Sequence, residues 1–559
     1  MLPHSFLGNY ESQRRALLVL AAALFVWNLW GYDVWAPDEP YFAEGAREMV
    51  ADGQWLVPHI NGQVSSDKPP LFFWLIALFS MLFGSVSSFT ARLPSMLAAL
   101  GTVALTLRLA RRIYGPTTSV LAGAILVTMY MFWEKARWAQ IDALLCFLIL
   151  IALSAFEEFR SGARPGRRAG LVFWAAVALA ALAKGPVGVL LPVGIAILTL
   201  LSDRSLSRWR SFAPFSGPLL FVAIVGLWIG AVAIFPVEGY TVAGALREHF
   251  VERGIRGMHH AQPPWYYLTV LPYALAPWSL LLPGALLVAW RDRRDAGTRY
   301  LLLHSVFVVT FFTVSTEKRD LYILPALPAL AILLAGFLTL ATGARESDEA
   351  VVPRPGTRWV TVPQGLCAAI LLLAGIAAPL AAKRLYPDLL AAAILLAIVL
   401  LVGGGAILLA AIRGRSETVV RATAVTMAVL LLAISTFLYP ALNPSKSGRE
   451  LAAKVEEAVA QMPAESKLLA VELRLPRRIE YILRHVNLYS EGIYFEEIDP
   501  EDLAPELATG QEVLVLAAVD CLEPLSPQAE ARKSILYETT LSRQNLLLLR
   551  FHSGAGSGE

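Results

Sequence analysis

The chain has 559 residues, of which 56% are apolar and only 16% are charged, and its mean hydropathy is +0.57. Soluble proteins carry about 25% charged residues, so this composition excludes an ordinary soluble protein. The net charge of +3 comes mostly from short loops, and no basic aromatic module is present, so we expect no nucleic-acid partner. Cys146, Cys367 and Cys521 form no spaced motif, which predicts neither a disulfide framework nor a zinc ribbon.

Successive apolar runs of spanning length predict a polytopic α-helical membrane protein with about 13 spans. The first run is too long for the core of a signal peptide, so we treat it as a spanning helix. The short segment 71–84 is interpreted as an interfacial helix rather than a span. The predicted spans are 16–35, 86–109, 117–133, 142–158, 169–184, 186–201, 212–235, 265–289, 300–314, 321–342, 359–382, 387–412 and 420–439.

The arginine-rich loops between these spans are expected on the cytoplasmic side. With 71–84 left out of the count, the N-terminus is then cytoplasmic, and the loops 36–70 and 236–264 and the C-terminal part lie outside. Residues 1–440 form the predicted membrane domain. Residues 441–559 alternate amphipathic helices with short apolar strands, which predicts a small α/β domain on the periplasmic side.

The loop 36–70 concentrates charge next to apolar segments, which is costly beside lipid and suggests a functional site. Asp38 and Glu39 open a predicted helix, where acids are favoured by the helix dipole, but either carboxylate also suits a general base. Arg47 belongs to the same cluster and is a candidate for substrate binding. Asp67 and Lys68 precede two prolines; the lysine suits either an interfacial anchor or a phosphate ligand.

Further candidates lie at the outer ends of later spans. Asp142 starts a span, where the dipole again explains part of its presence. In loop 236–264, Arg253 and Arg256 suit a phosphate through their planar donor forks, and His249 suits a divalent metal together with a carboxylate such as Asp67. The basic segment before residue 321 is predicted to lie outside, whereas basic residues are usually enriched in cytoplasmic loops. This departure favours phosphate binding over simple anchoring. Its candidates are Lys318, Arg319 and Tyr322.

Five segments occur in an order that resembles a known family: DEPYFAEGAREM, DKPPL, QIDALL, EHFVER with PPWYYL, and KRDLYILPALP. Together they resemble the bacterial GT-C glycosyltransferases that use polyprenyl-phosphate sugars, which include lipid A aminoarabinose transferases and, more distantly, protein O-mannosyltransferases. The resemblance covers the chain up to about residue 440. It implies a GT-C membrane domain and an enzyme of the bacterial inner membrane with its active site on the periplasmic face.

The resemblance also implies roles for individual residues. Asp38, with Glu39 beside it, corresponds to the essential aspartate of the first periplasmic loop, and Asp142 to a second functional acid. The donor phosphate is expected on Lys68, Arg253 and Tyr322. Asp67 and His249 correspond to positions where related enzymes hold a divalent metal such as zinc.

The expected donor is a sugar on undecaprenyl phosphate, in particular 4-amino-4-deoxy-L-arabinose. The expected acceptor is a lipid A phosphate or another periplasmic group, and the chain is expected to act as a monomer. A polyprenyl-phosphate-hexose transferase acting on protein or glycan is the alternative. A lipid-linked sugar transporter is disfavoured, because it predicts mid-membrane charge pairs and an internal repeat that the sequence does not show.

Overall fold

A computed structural model describes residues 10–247, 262–345, 353–471, 478–490, 492–522, 525–541 and 544–553. The fold is dominated by α-helices, as the apolar runs predict. The α-helices are Tyr10–Val26, Asp38–Asp52, Leu71–Phe83, Ser88–Tyr114, Pro116–Thr128, Tyr130–Ala136, Ile141–Arg160, Gly166–Lys184, Val187–Ser202, Ser216–Ile234, Val242–Arg247, Tyr266–Ala274, Leu282–Arg291, Ala296–Val314, Leu327–Thr342, Arg358–Leu385, Leu390–Ile412, Ser416–Ala433, Tyr439–Lys446, Arg449–Val459, Arg478–Tyr489, Leu503–Ala508 and Pro527–Arg532. Shorter 3-10 turns are Leu206–Ser211, Ser279–Leu281, Asp320–Ala326, Pro387–Leu389, Pro500–Asp502 and Val519–Cys521, and a π turn is Ile434–Leu438.

The helices divide between spans and shorter segments. Within the described residues, eight are long and apolar enough to cross a bilayer, or up to ten if each bent pair is one span. All thirteen predicted segments contain helix, but the count of thirteen stays a prediction. Helix Leu71–Phe83 has 13 residues, about 20 Å at 1.5 Å per residue, against a hydrocarbon core of about 30 Å.

Two of the predicted spans are not straight. Pro116–Thr128 and Tyr130–Ala136 meet at 70°, and Tyr266–Ala274 meets Ser279–Arg291 at 116°. The two helix breaks are joined by hydrogen bonds that satisfy polar groups at both. The amide of Tyr130 donates to the carbonyl of Ala276 at 3.0 Å, and the Trp278 indole donates to the hydroxyl of Thr128 at 3.0 Å. Irregular backbone at membrane depth needs such partners inside the protein.

The chain separates into two compact units. The first contains residues 1–29, 66–72 and 92–441, and the second contains 30–65, 73–91 and 442–559. The division after Ala441 lies next to the boundary predicted from composition. The second unit also takes in most of the first loop, which the sequence does not reveal.

The second unit contains a mixed five-stranded sheet. Its strands lie in the order Glu496–Ile498, Lys467–Val471, Val513–Ala518, Gln544–Phe551 and Lys533–Leu541. The first two pairings are parallel and the last two antiparallel, with a bulge between Ile535 and Tyr537. The central strand Val513–Ala518 is buried at every position, as its unbroken apolar run predicts. The predicted α/β character is therefore confirmed.

The first loop folds into a helix and a hairpin within this second unit. Strands His59–Ile60 and Gln63–Val64 pair antiparallel across Asn61 and Gly62, whose φ angles are 57° and 72°. This two-residue Asn-Gly turn matches the right-handed twist of the flanking strands. The amide of Gly62 donates to Oε1 of Glu48 at 3.0 Å, so the hairpin is tied to helix Asp38–Asp52.

Candidate active site

A cavity of about 590 Å³ lies in the first unit, where two predicted site residues, Lys68 and Tyr322, meet. Its polar lining residues are Lys68, Lys184, Thr310, Ser315, Glu317 and Tyr322. The rest of its wall is largely apolar. The apolar lining residues are Pro69, Pro186, Val187, Leu190, Phe307, Phe311, Phe312 and Val314. Lysine and tyrosine donors beside a largely apolar wall suit an anionic group joined to a hydrocarbon chain.

Lys184 is held at this cavity by two helix ends. It is the last residue of helix Gly166–Lys184, and Asp142 is the second residue of helix Ile141–Arg160. The ammonium donates to Oδ1 of Asp142 at 2.5 Å and lies 4.6 Å from the ring centroid of Tyr322. A cation at a helix C-terminus and an anion at an N-terminus are both favoured by the helix dipoles. Asp142 therefore orients the Lys184 side chain.

Lys68 and Tyr322 reach the same cavity from other segments. The Lys68 ammonium is half-buried and donates to the carbonyl of Asp67 at 3.0 Å, just before helix Leu71–Phe83. Tyr322 lies in the 3-10 turn Asp320–Ala326, and its ring packs on Phe312 with centroids 5.0 Å apart. The structure thus brings together two of the residues that the sequence predicts as phosphate ligands.

Lys318 and Arg319 differ from Tyr322 in their surroundings. The Lys318 side chain is buried, and its ammonium donates to the backbone carbonyls of Gln262 and Ser315 at 3.0 and 2.5 Å. It therefore closes the turn that precedes Tyr322. The carbonyl of Arg319 accepts a hydrogen bond from Tyr267 at 3.1 Å, which fixes the same turn. Neither residue lines the cavity.

Asp38 and Glu39 lie in the second unit, at the start of helix Asp38–Asp52. Pro37 occupies the N-cap position, and no side chain caps the helix there. Glu39 is fully buried, and its Oε2 accepts the backbone amide of Trp35 at 2.9 Å, so Glu39 fixes the approach to the helix. Asp38 is only half-buried. Of the two acids, Asp38 is the one a reactant can reach.

Arg47 lies two turns further along the same helix in an ionic cluster. It donates twice to Glu44, both at 2.8 Å, and to the hydroxyl of Tyr494 at 3.0 Å. Glu48 is buried beside Glu44; burial, together with the charge of Glu44, raises the pKa of Glu48 to about 8. Glu48 is therefore largely protonated at neutral pH and donates or accepts as a neutral acid.

The remaining candidates fall on other parts of the chain. His249, Arg253 and Arg256 lie outside the described residues. In the segments that the structure describes, no three His, Cys, Asp or Glu side chains converge as a metal site would require. Asp67 is described and half-buried. Two ligands are fewer than zinc takes from protein, so no step below passes through a metal.

Lys184 was missed as a site residue by the sequence analysis. A lysine at the outer end of a predicted span opposes the usual bias of basic residues toward the cytoplasm. The same argument favoured the segment before 321, and it would have selected Lys184 as well.

The segments around this cavity match known proteins. Residues 67–229 match the family model described as dolichyl-phosphate-mannose-protein mannosyltransferase. The undecaprenyl phosphate-α-4-amino-4-deoxy-L-arabinose arabinosyl transferase of Pseudomonas paraeruginosa is 30% identical over 384 residues, 67% of each chain. The chain belongs to this glycosyltransferase family. The enzyme of that name from Edwardsiella ictaluri is 31% identical over 64% of this chain and 65% of its own length. The match thus spans slightly less than two thirds of that relative.

The fold agrees with this family membership. The crystal structure of ArnT from Cupriavidus metallidurans bound to undecaprenyl phosphate aligns with a TM-score of 0.77, over 98% of this chain and 99% of that chain, at 19% identity. The predicted GT-C fold with a small C-terminal sheet domain is confirmed. Its apolar helices and its relatives make this family member a multi-pass inner-membrane protein.

Proposed function

We propose that this chain transfers a sugar from undecaprenyl phosphate to a periplasmic acceptor, with 4-amino-4-deoxy-L-arabinose as the sugar and a lipid A phosphate as the acceptor. The observation that carries the proposal is the cavity that combines the donors of Lys68, Lys184 and Tyr322 with a largely apolar wall. The names of the relatives, aminoarabinose arabinosyl transferases, support the sugar and the carrier.

The donor phosphate binds between Lys68, Lys184 and Tyr322, and the first isoprene units lie along the apolar wall. Arg253 joins these ligands in the proposal. Charge-assisted hydrogen bonds from ammonium groups stabilise the phosphate most when it carries its full leaving-group charge. Asp142 keeps the Lys184 ammonium aimed at the cavity throughout.

In the proposed step an acceptor oxygen attacks the anomeric carbon of the sugar. The bond from that carbon to the phosphate oxygen breaks, and its electron pair leaves with undecaprenyl phosphate. An acceptor hydroxyl passes its proton to the Asp38 carboxylate. A lipid A phosphate has no proton to give, and Asp38 then pairs with the amino group of the sugar as the transition state forms, so that its contribution falls on turnover rather than on donor affinity.

The transfer is tested in membranes of a host that lacks its own lipid A aminoarabinose transferase. Lipid A from cells expressing the wild-type chain is expected to gain the mass of one aminopentose, with increased polymyxin resistance. Asp38→Asn, expressed at the same level, is expected to show neither. Unmodified lipid A from a well-expressed wild-type chain would refute the acceptor.

The family model over residues 67–229 favours one second candidate, a transferase acting on protein or glycan. The same membranes, supplied with radiolabelled undecaprenyl-phosphate sugars, distinguish the two. Label in secreted protein or in glycan, with lipid A unlabelled, supports the second candidate.

We further propose that the site faces the periplasm, that the N-terminus is cytoplasmic and that a single chain is active. The basic loops between helices support the orientation. Cysteine labelling from outside the cell, at an introduced Ser66→Cys, tests it. A divalent metal on Asp67 and His249 also remains proposed; loss of transfer on chelation, restored by zinc, would support it.

A further inference from the structure

The segment that leads into Asp38 is hydrogen-bonded to the C-terminal part of the chain. Oδ1 of Asn443 accepts the backbone amide of Asp33 at 2.9 Å and the indole N–H of Trp35 at 3.0 Å. Nδ2 of Asn443 donates back to Oδ2 of Asp33 at 3.0 Å. The backbone amide of Val34 donates to the hydroxyl of Tyr489 at 3.1 Å. Three consecutive residues are thus held by partners more than 400 positions away.

The Asp33 carboxylate receives further donors. Ser447 donates its hydroxyl to Oδ2 at 2.8 Å, and Arg449 donates from Nε to Oδ1 at 2.9 Å. Burial raises the pKa of Asp33, but the hydrogen bonds from Asn443 and Ser447 and the charge of Arg449 together lower it by more, so the net shift is downward. Asp33 therefore stays a carboxylate at neutral pH and accepts all of these bonds.

The helix that begins at Asp38 also contacts the C-terminal part of the chain. The Arg484 guanidinium lies 4.7 Å from the ring centroid of Tyr41. The hydroxyl of Tyr41 in turn contacts that of Ser65 at 2.9 Å. The described contacts therefore fix the chain on both sides of Asp38, before it at Asp33 to Trp35 and after it at Tyr41.

We propose that Asn443 and Asp33 are positioning residues for catalysis, and that the C-terminal part of the chain acts on the reaction by holding the segment that carries Asp38. The proposal rests on the role of Asp38 given above. A displacement of about 1 Å at a reacting group costs up to about 100-fold in rate, so a loosened segment lowers turnover. The donor ligands Lys68 and Lys184 belong to the first unit, so donor binding is expected to persist.

The test is the kinetics of Asn443→Ala and Asn443→Asp in purified full-length chain, with undecaprenyl-phosphate aminoarabinose as donor. Asn443→Ala removes all three bonds of the amide. We expect kcat to fall by about 10- to 100-fold, with KM for the donor within about twofold of wild type. The matched control is Lys467→Ala, which breaks the 2.7 Å pair with Glu506 in the same unit and is expected to leave both constants unchanged.

Asn443→Asp changes one atom and gives a readout that a merely structural residue lacks. At pH 8 the introduced carboxylate repels Asp33, so kcat is expected to fall as for Asn443→Ala. Near pH 5.5 the two carboxyls share a proton, the hydrogen bond reforms, and the activity relative to wild type recovers. Two titratable neighbours of Asp33 lie outside this interval. Burial lowers the pKa of His485 to about 4. Burial also lowers the pKa of Arg449, but the charges and hydrogen bonds of Asp33 and Tyr489 together raise it by more.

The outcomes separate the two proposals. Unchanged kcat in both variants, with wild-type transfer intact, overturns the positioning role and leaves the proposed function standing. A 10- to 100-fold rise of the donor KM with unchanged kcat also overturns the positioning role. No transfer by the wild type refutes the proposed function instead. If Asn443→Ala fails to fold, the pH recovery of Asn443→Asp decides.

Discussion

Replacing Lys184 by methionine removes one cation from the cavity while keeping a side chain of similar length. A hydrogen bond between an ammonium and a phosphate contributes about 2 kcal/mol, so the Kd for undecaprenyl phosphate is expected to rise about 30-fold. The change also leaves Asp142 as a buried carboxylate, because the two side chains are only 14% and 8% exposed. Breaking such a pair costs about 3 kcal/mol, so the apparent unfolding temperature is expected to fall.

The double variant Asp142→Asn with Lys184→Met separates these two effects. It removes the stranded carboxylate, so stability is expected to return, whereas donor affinity is expected to stay about 30-fold weak. Binding is measured by intrinsic tryptophan fluorescence in detergent, and stability by thermal unfolding of the same samples. Wild-type affinity in the double variant would refute the direct role of Lys184, because the single variant would then act only through the unpaired carboxylate.

Three further predictions concern the second unit. Asp38→Asn is expected to lower transfer more than 100-fold with donor affinity unchanged, whereas Glu39→Gln keeps an acceptor for the loop amide and is expected to retain most activity; equal losses in transfer assays would contradict this division. The pKa of Glu48 in the folded chain, about 8, exceeds the ordinary value of 4.5, so the contribution of Glu48 to the free energy of unfolding is complete below pH 4.5 and is lost as the pH rises toward 8. Glu48→Gln is expected to flatten this pH dependence in chemical unfolding. An unchanged slope would exclude Glu48 as its source. Gly45→Ala would place a methyl group 2.6 Å from Cε1 of Phe73, so we expect a loss of about 1–3 kcal/mol in unfolding free energy, and Phe73→Leu in the same chain is expected to recover part of it.

Much of the fold follows from local pattern. Apolar runs and arginine-rich loops predict the helices, and the buried strand Val513–Ala518 follows from its unbroken apolar run. The edge strand Lys533–Leu541 was not predicted, because its exposed and buried positions do not alternate regularly. The helix break at Met129 could not be predicted from neighbouring residues, because the amide that follows it, that of Tyr130, donates to the carbonyl of Ala276 about 150 residues later.

The site could be predicted only in part for the same reason. Lys68 and Tyr322 were selected by their position beside predicted spans, and they reach one cavity. Lys318 was selected by the same argument, yet its ammonium binds carbonyls, and a sequence does not state where a flexible ammonium points. The bonds from Asn443 to Asp33 join segments about 400 residues apart, which local pattern does not encode.

The second unit joins an early and a late segment of the chain, which under the proposed role of Asp38 limits when the protein can become active. Residues 30–65 are made early, but the segment that completes their unit begins about 380 residues later, at Leu442. At about 5–20 residues per second, a ribosome needs roughly 20 to 80 s to cover that distance. Throughout that interval the segment that carries Asp38 lacks Asn443, which later accepts hydrogen bonds from it. Under the proposed roles, a chain that ends between Tyr322 and Leu442 already contains its donor ligands Lys68, Lys184 and Tyr322 but lacks the partners that position Asp38, so that donor capture precedes the capacity to transfer.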